Sequence, residues 1–147
     1  TLALLCDVIV ASDKAIIGDP HVKVGLVAGD GGAIIWPQLI GFARAKELLM
    51  TGDLLSAQQA YDLGLVNHVV APDALDAKIS EIAEKILGNP RWAVRWTKTI
   101  ANIPLKVLAA QINEAAMGYE LLSNMTDDRK EAVAAFLEKR KPNLTGE

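Results

Sequence analysis

The sequence predicts an α/β chain in which short strands and helices alternate over residues 1–70 and helices alone run over residues 71–147. Three observations carry this. The β-branched runs Asp7–Ala11 and Ala15–Ile17 flank a Ser12-Asp13-Lys14 turn, which reads as two short strands joined by a turn. Leu65–Val70 is a second β-like stretch that follows a helical one. Beyond Ala71, apolar residues recur only at helical spacing.

The chain opens on Thr1-Leu2-Ala3-Leu4-Leu5, an apolar run with no charge before Asp7. Such an abrupt start reads as a piece of a longer chain, and it predicts an exposed apolar face along Leu2, Leu4, Leu5 and Val8. Gly31–Met50 has helical periodicity, with Pro37 early, and reads as one helix in two pieces. Ser56 is placed to cap a short helix that runs to about Asp62 and is stopped by Gly64. Pro72 and Asp73 open an amphipathic helix with Leu75, Ile79, Ile82, Ala83 and Ile86 on one face, closed by Gly88-Asn89-Pro90. Three further helices are expected over Arg91–Ile103, Leu105–Ser123, and from a Thr126 or Asp127 cap to Lys139. Helices with such large apolar faces need a core or a neighbouring subunit to pack on.

Composition narrows the function. The 147 residues are 51% hydrophobic with a net charge of −3, which fits a globular domain and argues against general affinity for nucleic acid or anionic membrane. No run of eighteen apolar residues indicates a membrane span. Cys6 is the only cysteine, which excludes an internal disulfide; its apolar neighbours predict a buried thiol in a reducing compartment. A cytoplasmic location fits, or the mitochondrial matrix if a targeting segment lies upstream.

The segment with most chemical content is Gly18–Gly32. Pro20 fixes its own φ and biases Asp19 towards extended backbone, so His21 leaves the strand end at a defined angle. Gly29-Asp30-Gly31-Gly32 then opens a helix, where backbone N–H groups and the helix dipole favour an oxyanion, a carboxylate or a phosphate. Taken alone, these glycines are more often the mark of a tight, closely packed turn. No cluster of His, Cys or Asp has the chain spacing of a metal site, so no metal is expected.

Several segments together resemble the crotonase superfamily, the enoyl-CoA hydratase/isomerase group, over essentially the whole chain. The most specific is Thr51–Val70, TGDLLSAQQAYDLGLVNHVV, similar to the group's TG-x-x-[IL]-[SD]-A-x-x-A-x-x-x-GLV pattern. Cys6-Asp7, the Gly18–Gly32 loop, Asp127-Asp128-Arg129-Lys130 and Ala135–Lys141 match in order and spacing. The resemblance implies the C-terminal portion of a ββα spiral (residues 1–70) followed by a helical oligomerisation region that covers the active site (71–147). It also implies an acyl-CoA thioester as substrate, no further cofactor, and a homotrimer or hexamer. In that group two backbone N–H donors stabilise an enolate-like oxyanion, and one or two glutamates move the proton. The resemblance assigns both donors to chain preceding Thr1.

The two glutamate positions fall on Thr1 and His21, so the usual carboxylates are replaced. His21 is the leading catalytic candidate, because imidazole accepts or donates a proton at neutral pH; a surface or capping role is the alternative. Asp30 is the second candidate, either as a base or as a helix N-cap, the cap being slightly favoured. Thr1, Pro20, Val24 and Gly29 are expected to border the substrate. Lys139 resembles a lysine that approaches the CoA phosphates, or is a solvated helix-end charge. His68 reads as structural, and Trp36, Trp92 and Trp96 as packing or subunit-contact residues. Hydration, isomerisation, decarboxylation and thioester hydrolysis stay open, as do a non-catalytic role in binding or assembly and an inactive fragment lacking its N-terminal half.

Overall fold

A computed structural model describes all residues, Thr1–Glu147. Strands β1 (Val10–Ser12), β2 (Ile16–Ile17), β3 (Leu55–Ser56) and β4 (His68–Val70) are confined to the first half. Helices α1 (Gly32–Ile40), α2 (Phe42–Thr51) and α3 (Ala57–Leu63) alternate with them, and α4 (Leu75–Leu87), α5 (Arg91–Ala101), α6 (Ile103–Ser123) and α7 (Asp127–Glu138) follow.

Strands β1 and β2 flank the expected turn but do not pair with each other. β1 pairs parallel with β4, Ala11 opposite Val69, while β2 pairs antiparallel with β3, Ile17 opposite Leu55. The Ser12–Ala15 turn does form, with the Ala15 N–H donating to Ser12 O at 2.9 Å, but it works as a corner between two sheets. Asn67 fixes the β1–β4 register: its Oδ1 accepts from the Ile9 N–H at 2.8 Å, and its own N–H donates to Ile9 O at 3.0 Å.

The long helix is in two pieces, and the break falls at Gly41 rather than Pro37. Gly41 has φ 80°, a value that a side-chain-bearing residue rarely adopts, whereas Pro37 is accommodated inside α1. Ser56 caps α3 in a full capping box, accepting from the Gln59 N–H while Gln59 Oε1 accepts from the Ser56 N–H. Thr126 caps α7 by accepting from the Arg129 N–H at 3.1 Å. A 3₁₀ turn, Pro72–Ala74, precedes α4, and α6 begins at Ile103, with Pro104 in its first turn where a missing N–H costs no helical bond.

The core gathers Leu4, Ala11, Ile35, Trp36, Ile40, Ala45, Leu55, Ala57, Ala60, Leu65 and Val66, with Trp36 and Leu65 each only 1% exposed. Two expectations fail at the N-terminus. Leu4 points into this core although Leu2, Leu5 and Val8 are exposed as predicted. Cys6 is exposed, its Sγ donating to Leu2 O at 3.6 Å, because the Ala3–Leu5 3₁₀ turn directs Leu4 inward and leaves Cys6 on the outer side.

Candidate functional site

Between β2 and α1 the chain makes the turn that sequence singled out. Pro20 sits just before a 3₁₀ turn, His21–Val24, which ends at Gly25 with φ 72°. This turn brings His21 against Asp19, a residue that sequence reading treated only as Pro20's predecessor. Asp19 is 6% exposed, and its Oδ1 lies 2.5 Å from His21 Nδ1. The other ring nitrogen, Nε2, faces Asp30 Oδ2 at 3.8 Å, and Thr1 Oγ1 donates to Asp30 Oδ1 at 3.4 Å. Asp19, His21, Asp30 and Thr1 thus form one line of polar groups, buried at Asp19 and open at Asp30, whose side chain is 46% exposed.

Glycines make room for this line. A Cβ on Gly32 would overlap Asp19 Oδ2, and one on Gly31, at φ 114°, would stand 2.7 Å from Thr1 Cγ2. Gly31 is the residue that precedes α1, with no side chain capping the helix, so the expectation that Asp30 caps it fails. Asp30 lies one residue too early, and its carboxylate is turned to Thr1 and His21 instead.

The C-terminal helices hold the loop from outside. Arg129, on the first turn of α7, donates from Nη1 to Val24 O at 2.6 Å, and Gly25 lets the α7 backbone approach: a Cβ there would stand 2.9 Å from Arg129 Cα. Ser123 Oγ, at the end of α6, accepts from the Val27 N–H at 3.1 Å. Gly29 is buried against α6, where an added Cβ would overlap Ala116 O. Of the residues expected to border a substrate, Thr1, Pro20, Val24 and Gly29 therefore fall on or beside the His21 loop. Val24 offers its carbonyl to Arg129, and Gly29 serves helix packing. Lys139 is exposed at the C-cap of α7, the one non-glycine residue at positive φ (55°). The contacts that Asp19, Gly32, Ser123 and Arg129 make here are not legible in the sequence, because their partners lie far along the chain or depend on the turn's conformation.

Asp19, His21 and Asp30 also place ligand-type atoms within 4.8 Å of one another, a grouping that chain spacing did not suggest. At 2.5 Å the Asp19–His21 contact is a hydrogen bond, so this pair is already engaged with each other. A separate cavity of about 720 Å³ opens between the Leu4–Asp7 segment, Ile35 and Leu39 of α1, and α5; none of the polar line contributes to its wall.

A chain of buried carboxylate, imidazole and open carboxylate on a glycine-supported loop is an acid/base arrangement held by a mixed α/β core. Residues 1–147 match the family model described as Enoyl-CoA hydratase/isomerase, and the chain belongs to that family. It is 41% identical over 146 residues to crotonyl-CoA hydratase of Syntrophomonas wolfei, covering 97% of this chain and 55% of that relative, so it spans about half of its length. Among solved structures it is similar to a carnitinyl-CoA dehydratase from Mycobacterium avium (TM-score 0.92, 33% identity, 99% of this chain and 58% of that one). It is also similar to a β-diketone hydrolase from the cyanobacterium Anabaena (TM-score 0.78, 33% identity, 82% and 49%). These matches bear out the crotonase-type α/β fold.

Proposed function

We propose that the chain supplies the proton-handling part of an acyl-CoA enzyme of the hydratase/isomerase type, with His21 as general base and acid. The observation that carries this is the Asp19–His21–Asp30 line. With Nδ1–H donating to the Asp19 carboxylate, Nε2 keeps its lone pair on the side of Asp30 and Thr1. In hydration Nε2 takes a proton from water as the water oxygen bonds Cβ and the Cα=Cβ pair passes into the thioester carbonyl as an enolate; in isomerisation Nε2 takes the proton from Cα and the C–H pair passes into the same carbonyl. The imidazolium then lies between two carboxylates, and the same nitrogen returns the proton to complete hydration or isomerisation. Stabilisation of the oxyanion by two backbone N–H groups, assigned by the resemblance to chain before Thr1, belongs to the same reading. So do Lys139 on the CoA phosphates, a trimeric or hexameric assembly through the helical half, and the absence of any cofactor beyond the thioester. No helix is long and apolar enough to cross a membrane.

A second reading is favoured by the similarity to the β-diketone hydrolase. In it, water activated by His21 adds to a carbonyl, and a C–C bond breaks with an enolate leaving. Products separate the two: a hydroxyacyl or isomerised thioester in the first, two carbonyl fragments in the second.

The test is His21→Ala in the intact protein, assayed on a panel of enoyl-CoA thioesters and β-diketones. Turnover is expected to fall on the order of 10²–10⁴-fold, as loss of a general base does. Binding of acetoacetyl-CoA, an enolate-forming thioester, is expected to persist. Full turnover by His21→Ala would remove His21 from the mechanism.

A further inference from the structure

We infer that Asp19 is the positioning residue of this site: it fixes the tautomer and direction of the His21 ring, and Gly32 exists to let it do so. This rests on the proton-transfer reading of His21 and names the device behind it.

Three observations meet at Asp19. It is the buried charged side chain of the chain, and an aspartate at that depth is retained only with a partner that compensates its lost hydration. Its partner is the His21 ring: Oδ1 lies 2.5 Å from Nδ1 and 3.4 Å from the His21 backbone N–H, so one oxygen binds both ends of the residue. Its second oxygen occupies the space that a Cβ on Gly32 would fill, which ties the carboxylate to the first residue of α1.

The chemistry follows from donor and acceptor counting. An ionised carboxylate only accepts, so the neutral ring must carry its proton on Nδ1 and leave Nε2 as the acceptor. Nε2 is the nitrogen that faces Asp30 and the open side of the site. With no carboxylate at position 19 the ring is free to carry its proton on Nε2 or to rotate, and the base is then misdirected. A buried carboxylate has this same effect on the histidine of a Ser-His-Asp triad, where its conversion to the amide leaves the geometry but populates the wrong tautomer.

The experiment is carried out on the intact protein with ¹⁵N-labelled histidine, the His21 ring signals being identified by their loss in His21→Ala. In the wild type, long-range ¹H–¹⁵N correlations are expected to show the neutral ring protonated on Nδ1; a neutral ring protonated on Nε2 overturns the proposal without any variant. Asp19→Asn, nearly isosteric, is expected to shift that population towards the Nε2–H form. It should lower kcat at least about 100-fold while leaving KM for the thioester little changed. Gly32→Ala, which displaces the Asp19 carboxylate without altering it, is expected to move the same ring signals in the same direction. Normal turnover and unchanged ring signals in Asp19→Asn would overturn the role of Asp19 if His21→Ala is inactive. If His21→Ala is itself fully active, the proton-transfer reading falls and takes this inference with it.

Discussion

The two halves of the chain bury their apolar residues in different ways. Every fully buried residue except Ala132 and Ala135 lies between Leu4 and Val66, around Trp36, whereas α4, α5 and α6 bury none completely. The helices are no less apolar for that. Trp92 and Trp96 stack at 5.4 Å on the surface of α5, and Ile100, Tyr119, Leu121, Leu122, Phe136 and Leu137 are all exposed. The first half thus carries its own core, and the second presents apolar faces suited to another surface while clamping the His21 loop through Ser123 and Arg129.

The largest expected effect tests that contrast directly. Trp36→Ala empties the centre of the core and is expected to cost about 3–5 kcal/mol in urea unfolding. Trp92→Ala removes a side chain that is 55% exposed and should cost no more than about 0.5 kcal/mol at high dilution. If the α5 face associates with a second copy, the Trp92→Ala penalty grows with protein concentration while that of Trp36→Ala does not. Equal penalties at all concentrations would mean that the helices share the first half's core.

A second expectation sharpens the role of the helical faces. Trp96→Glu together with Leu121→Glu should convert any assembly to smaller species in sedimentation velocity, with the circular dichroism of the helices retained. An unaltered sedimentation coefficient would move the contact to another face.

Legibility in the sequence divides along the same line. Ser56, Thr126 and Gly64 act locally, through caps and a left-handed turn, and their part in the helices could be read from the chain, whereas the break at Gly41 could not. Strand pairing could not be read this way, because β1 and β4 are joined by contacts between Ile9 and Asn67 that no local pattern specifies. His21 and Asp30 stood out by residue type and by resemblance. Asp19 did not, since its importance lies in a carboxylate oxygen placed over Gly32, and that placement exists only once the Pro20 turn has formed. Cys6 was misread for the opposite reason: its neighbours are apolar, but a 3₁₀ turn rather than a strand decides which of them faces inward.

The two side-chain caps give the next smaller effect. Ser56→Ala and Thr126→Ala are each expected to cost about 1 kcal/mol. Their consequences for activity should differ. Thr126 caps the turn from which Arg129 reaches Val24 O, so its loss should also lower turnover by loosening the His21 loop, whereas Ser56→Ala should leave turnover nearly intact. Equal loss of activity in both would mean that the clamp carries no more weight than general stability.

The smallest effect belongs to the end of the chain, which folds back on α7. Arg140 Nη1 lies 2.5 Å from Glu131 Oε1, and that same oxygen accepts from the Asn143 N–H at 2.8 Å. The Arg140 guanidinium, with the Asn143 N–H second, draws Glu131 down to about 2 from the ordinary value of 4.5, and Arg140 is itself raised by Glu131 and Glu138. A carboxyl lowered in the folded state adds stability that is fully present above its unfolded value and is lost as pH falls through the folded one. Docking of residues 140–143 should therefore hold at neutral pH and weaken from about pH 4.5 towards about 2. The pair is exposed to solvent, so molar salt should loosen it as well. Asp128 accepts separately from the Thr145 and Gly146 N–H groups at 2.7 and 2.9 Å, which gives the tail a second anchor. Glu131→Gln should accordingly raise the ¹⁵N mobility of Asn143 at neutral pH before that of Gly146. Equal mobility gains at both positions would mean that the tail docks as one unit and that Glu131 alone holds it.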